Sequence, residues 1–298
     1  MSDTARNSRR ALIALIVLSL IWGYNYVVMK EVMAYVDPFD FSALRMVLGA
    51  VVLFAVLVLM RRPLAPVAWR KLLLLGLLQT TAFTALLQWA LVDGDAGKTA
   101  ILVYTMPFWV IPLAWWALDE RVRSVQWVAL ALAGVGLIII VEPWAHSGSM
   151  FSSVLGVASG LSWAISSVLA KSLRRDSGVD LLTMTAWQML LGSIVLCVIA
   201  LILPSRPIEP TPYFYAAMIY NVLLATGLAW ILWMFVLENL SAGMAGLSVL
   251  GIPLIGVFAG WAELGERPSA AELAGMVLIC GALALVSLWS LWQNRRRG

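Results

Sequence analysis

Aromatic and amide side chains interrupt the first long apolar run of the chain. Trp22, Tyr24 and Asn25 lie close together where leucine or valine would cost least in an apolar environment. Similar residues recur near the middle of later apolar runs. The candidate substrate-binding residues are Trp22, Tyr24, Asn25, Gln79, Thr80, Tyr104, Trp163, Ser166, Thr226 and Trp230. Such groups recognise small ligands by stacking and hydrogen bonding, so they predict binding rather than catalysis.

Each of these residues also has a structural interpretation. A serine or threonine inside an apolar helix often donates its hydroxyl proton to a carbonyl of the preceding turn. A tryptophan there can pack against its neighbours, and for Trp22, Trp163 and Trp230 packing and cavity lining are equally compatible with the sequence. The two interpretations stay open at this stage.

The sequence has no pattern typical of an enzyme or a metal site. Neither HExxH nor GxSxG occurs, and the single histidine, His146, lies in a Gly/Ser-rich segment. The two cysteines, Cys197 and Cys280, lie within apolar runs and are expected to be buried thiols. We therefore expect no enzyme activity, no catalytic residue, no metal and no cofactor.

The composition is that of a membrane protein. Hydrophobic residues make up 62% of the 298 residues, charged residues 12%, and the mean hydropathy is +0.92. A bilayer core of about 30 Å needs about 20 apolar helical residues per crossing. Ten runs qualify: 11–31, 41–60, 71–92, 99–118, 125–142, 152–173, 181–203, 213–237, 243–263 and 271–292. The predicted fold is an all-α integral membrane protein with ten transmembrane helices around a central cavity.

The distribution of lysine and arginine predicts the orientation. Cytoplasmic segments of membrane proteins carry an excess of these residues. With the N-terminus inside, the cytoplasmic set is Arg6, Arg9, Arg10, Arg61, Arg62, Arg70, Lys71, Arg121, Arg123, Lys171, Arg174, Arg175, Arg295, Arg296 and Arg297. Both termini are then cytoplasmic, as in a multi-pass protein of a bacterial-type inner membrane. The net charge of +4 is not gathered on one face, so no nucleic-acid partner is expected.

The two halves of the chain resemble each other. Trp22 and Lys30 align with Trp163 and Lys171, and 45–53 aligns with 188–196. Further along, Ala96-Gly97 aligns with Ala242-Gly243, Pro107 with Pro253, and Glu120-Arg121 with Glu266-Arg267. With five predicted helices in each half, the second half enters the membrane from the opposite side, which gives an inverted-topology repeat. We expect one repeat at 11–142 and another at 152–292.

The paired prolines have a predicted role in movement. Pro107 and Pro253 occupy matching positions near the middle of their spans, where proline frees a carbonyl and can kink a helix. Because inverted repeats serve alternating access, a hinge or gate role is favoured over a neutral kink. Lys30 and Lys171 could attract a substrate carboxylate, although snorkelling to the interface is the simpler explanation, particularly for Lys171.

The repeated unit resembles the EamA domain of the drug/metabolite transporter (DMT) superfamily. The resemblance rests on Trp22-Gly23 followed by Asn25 and Lys30, and on the "LGER" of 264–267. The first copy reads "LDER" at 118–121, so Asp119 departs from the usual glycine. Within the superfamily the chain most resembles YddG-type exporters of aromatic amino acids. The resemblance implies a carrier that exports amino acids, aromatic ones first, and related metabolites.

The charged residues bear on substrate and coupling. No arginine or lysine is expected at mid-span, which argues against strongly anionic substrates, and no acidic residue is expected there, which argues against cationic drugs and proton coupling. Facilitated export is therefore predicted; the alternative is a proton-coupled exporter of drugs or other small metabolites. The expected partners are amino acids or similar metabolites and membrane lipid, with the protein as a monomer or a homodimer.

Overall fold

The computed structural model describes the backbone of residues 3–119, 122, 124–141, 149–239 and 251–297, with the side chains of most of them. Within these residues every regular element is helical. Eight helices have the length and hydropathy needed to cross a bilayer, and two shorter apolar helices, Gly251–Leu264 and Ala270–Val286, follow them. The prediction of an all-helical membrane protein is confirmed, while the predicted run 243–263 begins outside the described residues.

Most helices are continuous and begin or end within a few residues of the apolar runs. The uninterrupted ones are α1 (Asp3–Glu31), α2 (Pro38–Leu59), α5 (Ser124–Val141), α6 (Ser149–Ser177), α7 (Leu181–Ile202) and α10 (Ala270–Arg297). A short 3₁₀ turn, Val32–Ala34, follows α1. The described part of α9 is Gly251–Leu264.

Three helices change geometry along their length. In α3, a π-helical segment, Leu77–Ala82, separates Trp69–Gly76 from Phe83–Asp93. In α8, a longer one, Tyr220–Leu228, separates Pro212–Ile219 from Ala229–Asn239. The two halves of α4 are Ala96–Val103 and Met106–Leu118. π-helical turns are rare in proteins and frequent at functional sites.

The break in α4 lies just before the position where the sequence predicted a kink. The helix is interrupted at Tyr104 and Thr105, and Pro107 lies in the first turn of the second half. A proline is tolerated there because its missing N–H has no intrahelical partner to lose. The Thr105 hydroxyl donates to the Leu102 carbonyl at 2.7 Å and accepts from Trp109 Nε1 at 3.2 Å. These bonds stabilise the break.

Each helix has a limited set of neighbours in the bundle. α1 packs against α8 and α9, α6 packs against α3 and α4, α2 packs against α7 and α8, and α5 packs against α10. Leu59, Trp116 and Leu201, by contrast, are 81%, 80% and 87% exposed. Such an outward apolar surface is a liability in water and the normal surface of a protein in lipid.

The two ends of the bundle are distinguished by their contacts. At one end, here named the Glu266 end, Lys30 Nζ donates to the Gly94 carbonyl at 2.5 Å and the Arg206 amide donates to Asp37 at 2.7 Å. At the opposite end, here named the Arg62 end, exposed ion pairs join Arg62 to Asp180 at 3.4 Å and Lys71 to Asp176 at 3.2 Å. Exposed pairs of this kind contribute about 0–1 kcal/mol each.

The contact between α3 and α7 depends on two glycines. A Cβ on Gly192 would lie 2.4 Å from the Gly76 carbonyl oxygen, and one on Gly76 would lie 2.5 Å from the Gln188 carbonyl oxygen. We expect Gly192→Ala to lower the melting temperature of the purified protein, because overpacking of this kind costs about 1–3 kcal/mol.

Gly281→Ala is the matched control, since a Cβ there would meet nothing within 4 Å. Alanine favours a helix over glycine by about 1 kcal/mol, so this variant should melt at or above the wild-type temperature. Equal melting temperatures for the two variants would contradict the close approach of α3 and α7.

Candidate functional site

Trp22 joins α1 to α8. Its indole Nε1 donates to the Ala225 carbonyl at 2.9 Å, and its ring centroid lies 6.2 Å from that of Trp230 and 6.3 Å from that of Trp233. The structure therefore brings two of the predicted site residues, Trp22 and Trp230, into an edge-to-face contact. The indole N–H is the only side-chain donor of Trp22, and it is already bonded to the backbone of α8. Trp22 can therefore offer a ligand its ring but not its indole N–H.

Trp163 joins α6 to α3 in a comparable way. Its ring centroid lies 4.7 Å from that of Phe83. The hydroxyls of Ser166 and Ser167 both donate to the Trp163 carbonyl, at 2.7 and 2.8 Å. Ser166 is fully buried, and its hydroxyl proton is used within its own helix. This is the structural interpretation that the sequence left open.

The polar residues of α3 and α8 face α7 and α2. The Thr80 hydroxyl donates to Gln188 Oε1 at 2.8 Å in a buried contact between α3 and α7. Gln79, on the neighbouring face, is half-buried. Thr226 is buried on α8 and lies against Gly49 of α2. Thr80 of α3 therefore contacts α7, and Thr226 of α8 contacts α2 in a corresponding way.

Tyr24 lies towards the Glu266 end of the bundle. Its hydroxyl donates to Glu263 Oε2 of α9 at 2.9 Å, and its ring lies edge-on to Tyr220 of α8 at 5.9 Å. Nearby, the Tyr213 hydroxyl donates to Glu31. Two carboxylates thus accept hydrogen bonds from phenol hydroxyls where α1, α8 and α9 meet.

Two of the predicted residues, Tyr104 and Pro253, are buried near a helix break or a helix start. Tyr104, 7% exposed, ends the first half of α4, and its hydroxyl makes no hydrogen bond with the described part of the chain. Pro253 is buried near the start of the described part of α9. Its repeat mate Pro107 lies just beyond the α4 break.

Unpaired polar atoms lie at similar depths in α1, α2 and α3. Asn25 Oδ1, Arg45 Nε, Thr84 Oγ1 and Gln88 Oε1 are buried and lack a hydrogen-bond partner. All four residues lie five to nine residues from the Glu266 end of their helices, which at 1.5 Å per residue places them about 8–14 Å inside that end. We name these four residues the polar layer. A buried polar atom without a partner costs about 1–3 kcal/mol, so these four residues form the candidate ligand site.

Arg45 is the charged member of the polar layer. It is 6% exposed, lies seven residues into α2, and has its guanidinium 5.8 Å from the Phe41 ring centroid. Its Nη1 donates to Asn221 Oδ1 of α8 at 3.3 Å. The prediction that no arginine or lysine lies at mid-span therefore misses a buried cation about 10 Å inside the end of α2. A ring face and an amide oxygen take the place of water around this cation, which allows the helix to carry it about 10 Å inwards.

Three residues of this region, Arg45, Gln88 and Asn221, are not among the site residues predicted from the sequence. The available signal was the alignment of 45–53 with 188–196, which pairs Arg45 with Gln188. Both aligned positions carry a long polar side chain among apolar neighbours, which sets them apart from ordinary packing positions.

The Glu266 side chain caps the first helix half of α4. Its carboxylate accepts from the backbone N–H groups of Ala96 at 2.6 Å and Gly97 at 2.9 Å. A carboxylate at a helix N-terminus satisfies free N–H donors and complements the helix dipole. Burial raises the pKa of Glu266 above its ordinary value, against these two hydrogen bonds, which lower it. Glu120, Ala242 and Gly243, the repeat mates, lie outside the described residues.

Two lysines complete the ties at this end. Lys30 Nζ donates to the Gly94 carbonyl just beyond α3, with the Leu91 carbonyl 3.5 Å away, so the cation lies at a helix C-terminus where the dipole favours it. This contact accounts for Lys30 without a substrate. Lys98 of α4 forms a largely buried ion pair with Glu272 of α10 at 2.7 Å. We name the Glu266, Lys30 and Lys98 contacts together the end clamp.

A small cavity lies beside the end clamp. Its volume is about 60 Å³, and Lys98, Thr99, Ser152, Ser153 and Glu272 are among the residues that line it. Ligand pockets for small molecules have volumes of about 300–1,000 Å³. This cavity holds a few waters at most and does not serve as a substrate site.

Comparison with known proteins gives a consistent result. The model of the EamA-like transporter family matches residues 9–142 and 150–288. The uncharacterized transporter YoaV of Bacillus subtilis is 28% identical over 277 residues, covering 91% of this chain and 94% of YoaV. The probable amino-acid metabolite efflux pump of Salmonella typhimurium is 27% identical, covering 91% of this chain and 92% of that protein.

A solved crystal structure shares the fold. It superposes with a TM-score of 0.67 and covers 96% of this chain and 99% of that chain. The sequences are 17% identical, a level at which the likeness concerns the fold alone.

The end clamp gives a stability prediction. We expect Glu266→Ala to lower the free energy of unfolding by about 0.5–2 kcal/mol, the usual effect of losing a helix cap, because the Ala96 and Gly97 amides lose their acceptor. Glu266→Gln keeps one acceptor oxygen, so its free energy of unfolding should lie between those of Glu266→Ala and the wild type. Thermal melting of the purified variants in detergent measures the effect.

Glu209→Ala is the control, since Glu209 is exposed and the hydrogen bonds described for this residue use its backbone rather than its side chain. A Glu266→Ala variant that melts with Glu209→Ala and the wild type would contradict the capping role.

Proposed function

The chain belongs to the EamA-like transporter family, and on this premise we propose that it exports amino acids, aromatic ones first, by alternating access. The observation that carries the proposal is the polar layer, a set of unpaired buried polar atoms inside the bundle of a membrane transporter. The Salmonella relative is named as a probable amino-acid metabolite efflux pump. Amide and hydroxyl groups next to aromatic rings suit a ligand with an aromatic body and polar ends.

The architecture that we propose is ten transmembrane helices in two inverted repeats, 11–142 and 152–292. Its support is the correspondence of neighbours: α1 with α8 and α9 against α6 with α3 and α4, and α2 with α8 against α7 with α3. The close contacts correspond too. Gly49 lies against Thr226, and its aligned mate Gly192 lies against Thr80. Two unrelated halves would have no reason to repeat these pairs.

The orientation that we propose has both termini in the cytoplasm of a bacterial-type inner membrane. Arg62, Lys71 and Arg175 lie at the Arg62 end, in segments that the distribution of lysine and arginine assigns to the cytoplasm. The Glu266 end then faces outwards. A substrate that leaves the cell passes the polar layer before it passes the end clamp.

The gate that we propose lies between the end clamp and the polar layer. The α4 break at Tyr104 and Thr105 lies between the Glu266 cap and Pro107, so the first half of α4 can tilt without moving the second half. Pro253 occupies the matching position of α9. A hinge is a short irregular segment that absorbs a change in backbone angles, and the α4 break supports this role for Pro107 and Pro253.

The site that we propose retains the residues predicted from the sequence, with different tasks. Asn25 belongs to the polar layer and has an unused oxygen, and Tyr104 is buried eight residues into α4. The tryptophans offer ring surface, Trp22 and Trp230 where α1 meets α8 and Trp163 against Phe83 of α3. Ser166 and Thr80, whose hydroxyl protons are used within the protein, keep acceptor lone pairs only.

Transport is proposed to be facilitated rather than proton-coupled. Proton-driven carriers usually titrate an acidic or histidine residue within the membrane. In the sequence Asp and Glu fall at span ends or in loops, and the single histidine lies between the two repeats. Arginine side chains stay protonated in proteins, so Arg45 does not exchange a proton during a transport cycle.

Counterflow in proteoliposomes tests the proposal. Vesicles loaded with unlabelled L-tryptophan should accumulate labelled L-tryptophan, and a panel of all amino acids should compete, with phenylalanine and tyrosine ahead of the aliphatic ones. A pH gradient alone should drive no uphill uptake. Saturable counterflow distinguishes a carrier from a channel. Absence of competition by any amino acid, or uphill uptake driven by the pH gradient, would count against the proposal.

Trp22→Ala and Trp163→Ala should weaken counterflow of aromatic amino acids severalfold more than that of aliphatic ones, because only the former lose ring contacts. Trp116→Ala, which removes an 80% exposed ring, is the matched control and should leave rates unchanged. If both site variants transport aromatic substrates at the wild-type rate, these tryptophans are packing residues.

A further inference from the structure

Arg45 is a buried cation, and no described carboxylate forms an ion pair with it. We propose that its guanidinium binds the carboxylate of the transported molecule, so that the substrate class is restricted to organic acids and amino acids. This inference deepens the proposed function and rests on the premise that the bundle transports a small metabolite. Its support is the burial, the charge and the hydrogen bonding of Arg45, taken one at a time.

The described residues do not neutralise the charge of Arg45. None of their carboxylates lies within ion-pair distance of it, and the groups that interact with it include the Phe41 ring, Asn221 Oδ1 and the phenol of Tyr26. A buried cation normally has a paired anion or a full set of hydrogen bonds, because burying an unpaired charge is costly. Intramembrane charges that lack such pairing mark ligand or ion pathways.

The free edge of the guanidinium has the geometry that a carboxylate needs. Asn221 occupies Nη1, while Nε is buried and unpaired and Nη2 makes no hydrogen bond with the described residues. Nε–H and the adjacent N–H of Nη2 point in the same direction, and this edge forms two parallel hydrogen bonds with the two oxygens of a carboxylate. Asn221, fixed by its own Nδ2 bond to the Ala217 carbonyl at 3.0 Å, holds the opposite side of the group.

A purely structural role for Arg45 is the competing explanation. The aligned position in the second repeat is Gln188, which joins α7 to α3 by accepting from Thr80 at 2.8 Å. A neutral amide is thus sufficient to cross-link these helices. Arg45 makes a single, longer cross-link to a neutral acceptor at 3.3 Å and adds a charge that this cross-link does not use. The charge is therefore explained by a ligand and not by packing.

The rest of the polar layer complements the other end of an amino acid. Asn25 Oδ1 and Gln88 Oε1 are unpaired acceptors at the depth of Arg45. Gln88 is oriented by its Nε2 bond to the Met29 carbonyl at 2.9 Å, which leaves its oxygen free. Amide oxygens favour an ammonium group over a second anion. A zwitterion matches both sides of the layer, and a simple organic acid matches one.

The test uses three indole probes that differ only at the ends. L-Tryptophan carries a carboxylate and an ammonium, indole-3-propionate only the carboxylate, and tryptamine only the ammonium. Binding to the purified full-length protein is measured by tryptophan-competitive calorimetry and by thermal stabilisation. Wild type should bind L-tryptophan and indole-3-propionate, and tryptamine about 10- to 100-fold more weakly, the loss expected when hydrogen bonds to a charged group disappear.

Arg45→Gln introduces the residue found at the aligned position and should fold. It should bind both carboxylate probes about 10- to 100-fold more weakly and leave tryptamine binding unchanged. Arg45→Lys should recover part of the affinity, since a lysine keeps the charge but not the two-pronged geometry. Arg70→Gln, which removes an exposed arginine at the Arg62 end, is the matched control and should bind like wild type.

Wild-type protein that binds tryptamine as tightly as L-tryptophan, or that binds neither carboxylate probe, overturns the inference without reference to any variant. Equal affinities of Arg45→Gln and wild type for L-tryptophan overturn it as well. The outcomes separate the two proposals. Carboxylate binding that depends on Arg45, with no amino-acid counterflow, supports this inference and rejects amino-acid export. Counterflow of L-tryptophan and tryptamine at equal rates supports amino-acid export and rejects this inference.

Discussion

Polar groups inside an apolar helical bundle must find partners within the protein, because hydrocarbon offers none. Several side chains accordingly donate hydrogen bonds to backbone carbonyls of neighbouring helices. Ser159 and Ser162 of α6 donate to the Phe83 and Leu78 carbonyls of α3, at 2.9 and 2.8 Å, and Trp22 of α1 donates to α8. Two of these three acceptors lie in π-helical segments. The helix pairs are thus held by hydrogen bonds as well as by close glycine contacts.

Against this background the polar layer stands apart. Most buried polar side chains have found partners, while Arg45, Asn25 and Gln88 retain unused atoms at a shared depth. A stable protein tolerates such atoms where a ligand supplies the missing bonds. The end clamp lies between this layer and one face of the bundle, so the same helices that present the layer are joined where a substrate would leave. The proposed binding site and the proposed gate therefore share α1, α3 and α4.

The sequence predicted the apolar runs and the all-helical membrane fold, because each depends on averages over many residues, and it predicted the family from short motifs that occur in both halves. It predicted the tasks of single residues less well. Nothing in the sequence distinguished Ser166, whose hydroxyl donates within its own helix, from a ligand-binding serine. A hydropathy window averaged Arg45 away, since one cation among apolar neighbours barely changes the mean. The break at Tyr104 and the two π-helical segments depend on tertiary contacts, which a local pattern does not contain.

The most direct measurement is an experimental structure of the protein with L-tryptophan bound. We expect the carboxylate of the amino acid on the Nε–Nη2 edge of Arg45, its ammonium near Asn25 or Gln88, and its indole among the aromatic side chains of α1, α4 and α8. A ligand bound elsewhere, for example beside Lys98 and Glu272, or one whose carboxylate points away from Arg45, would contradict the assignment of the polar layer as the transport site.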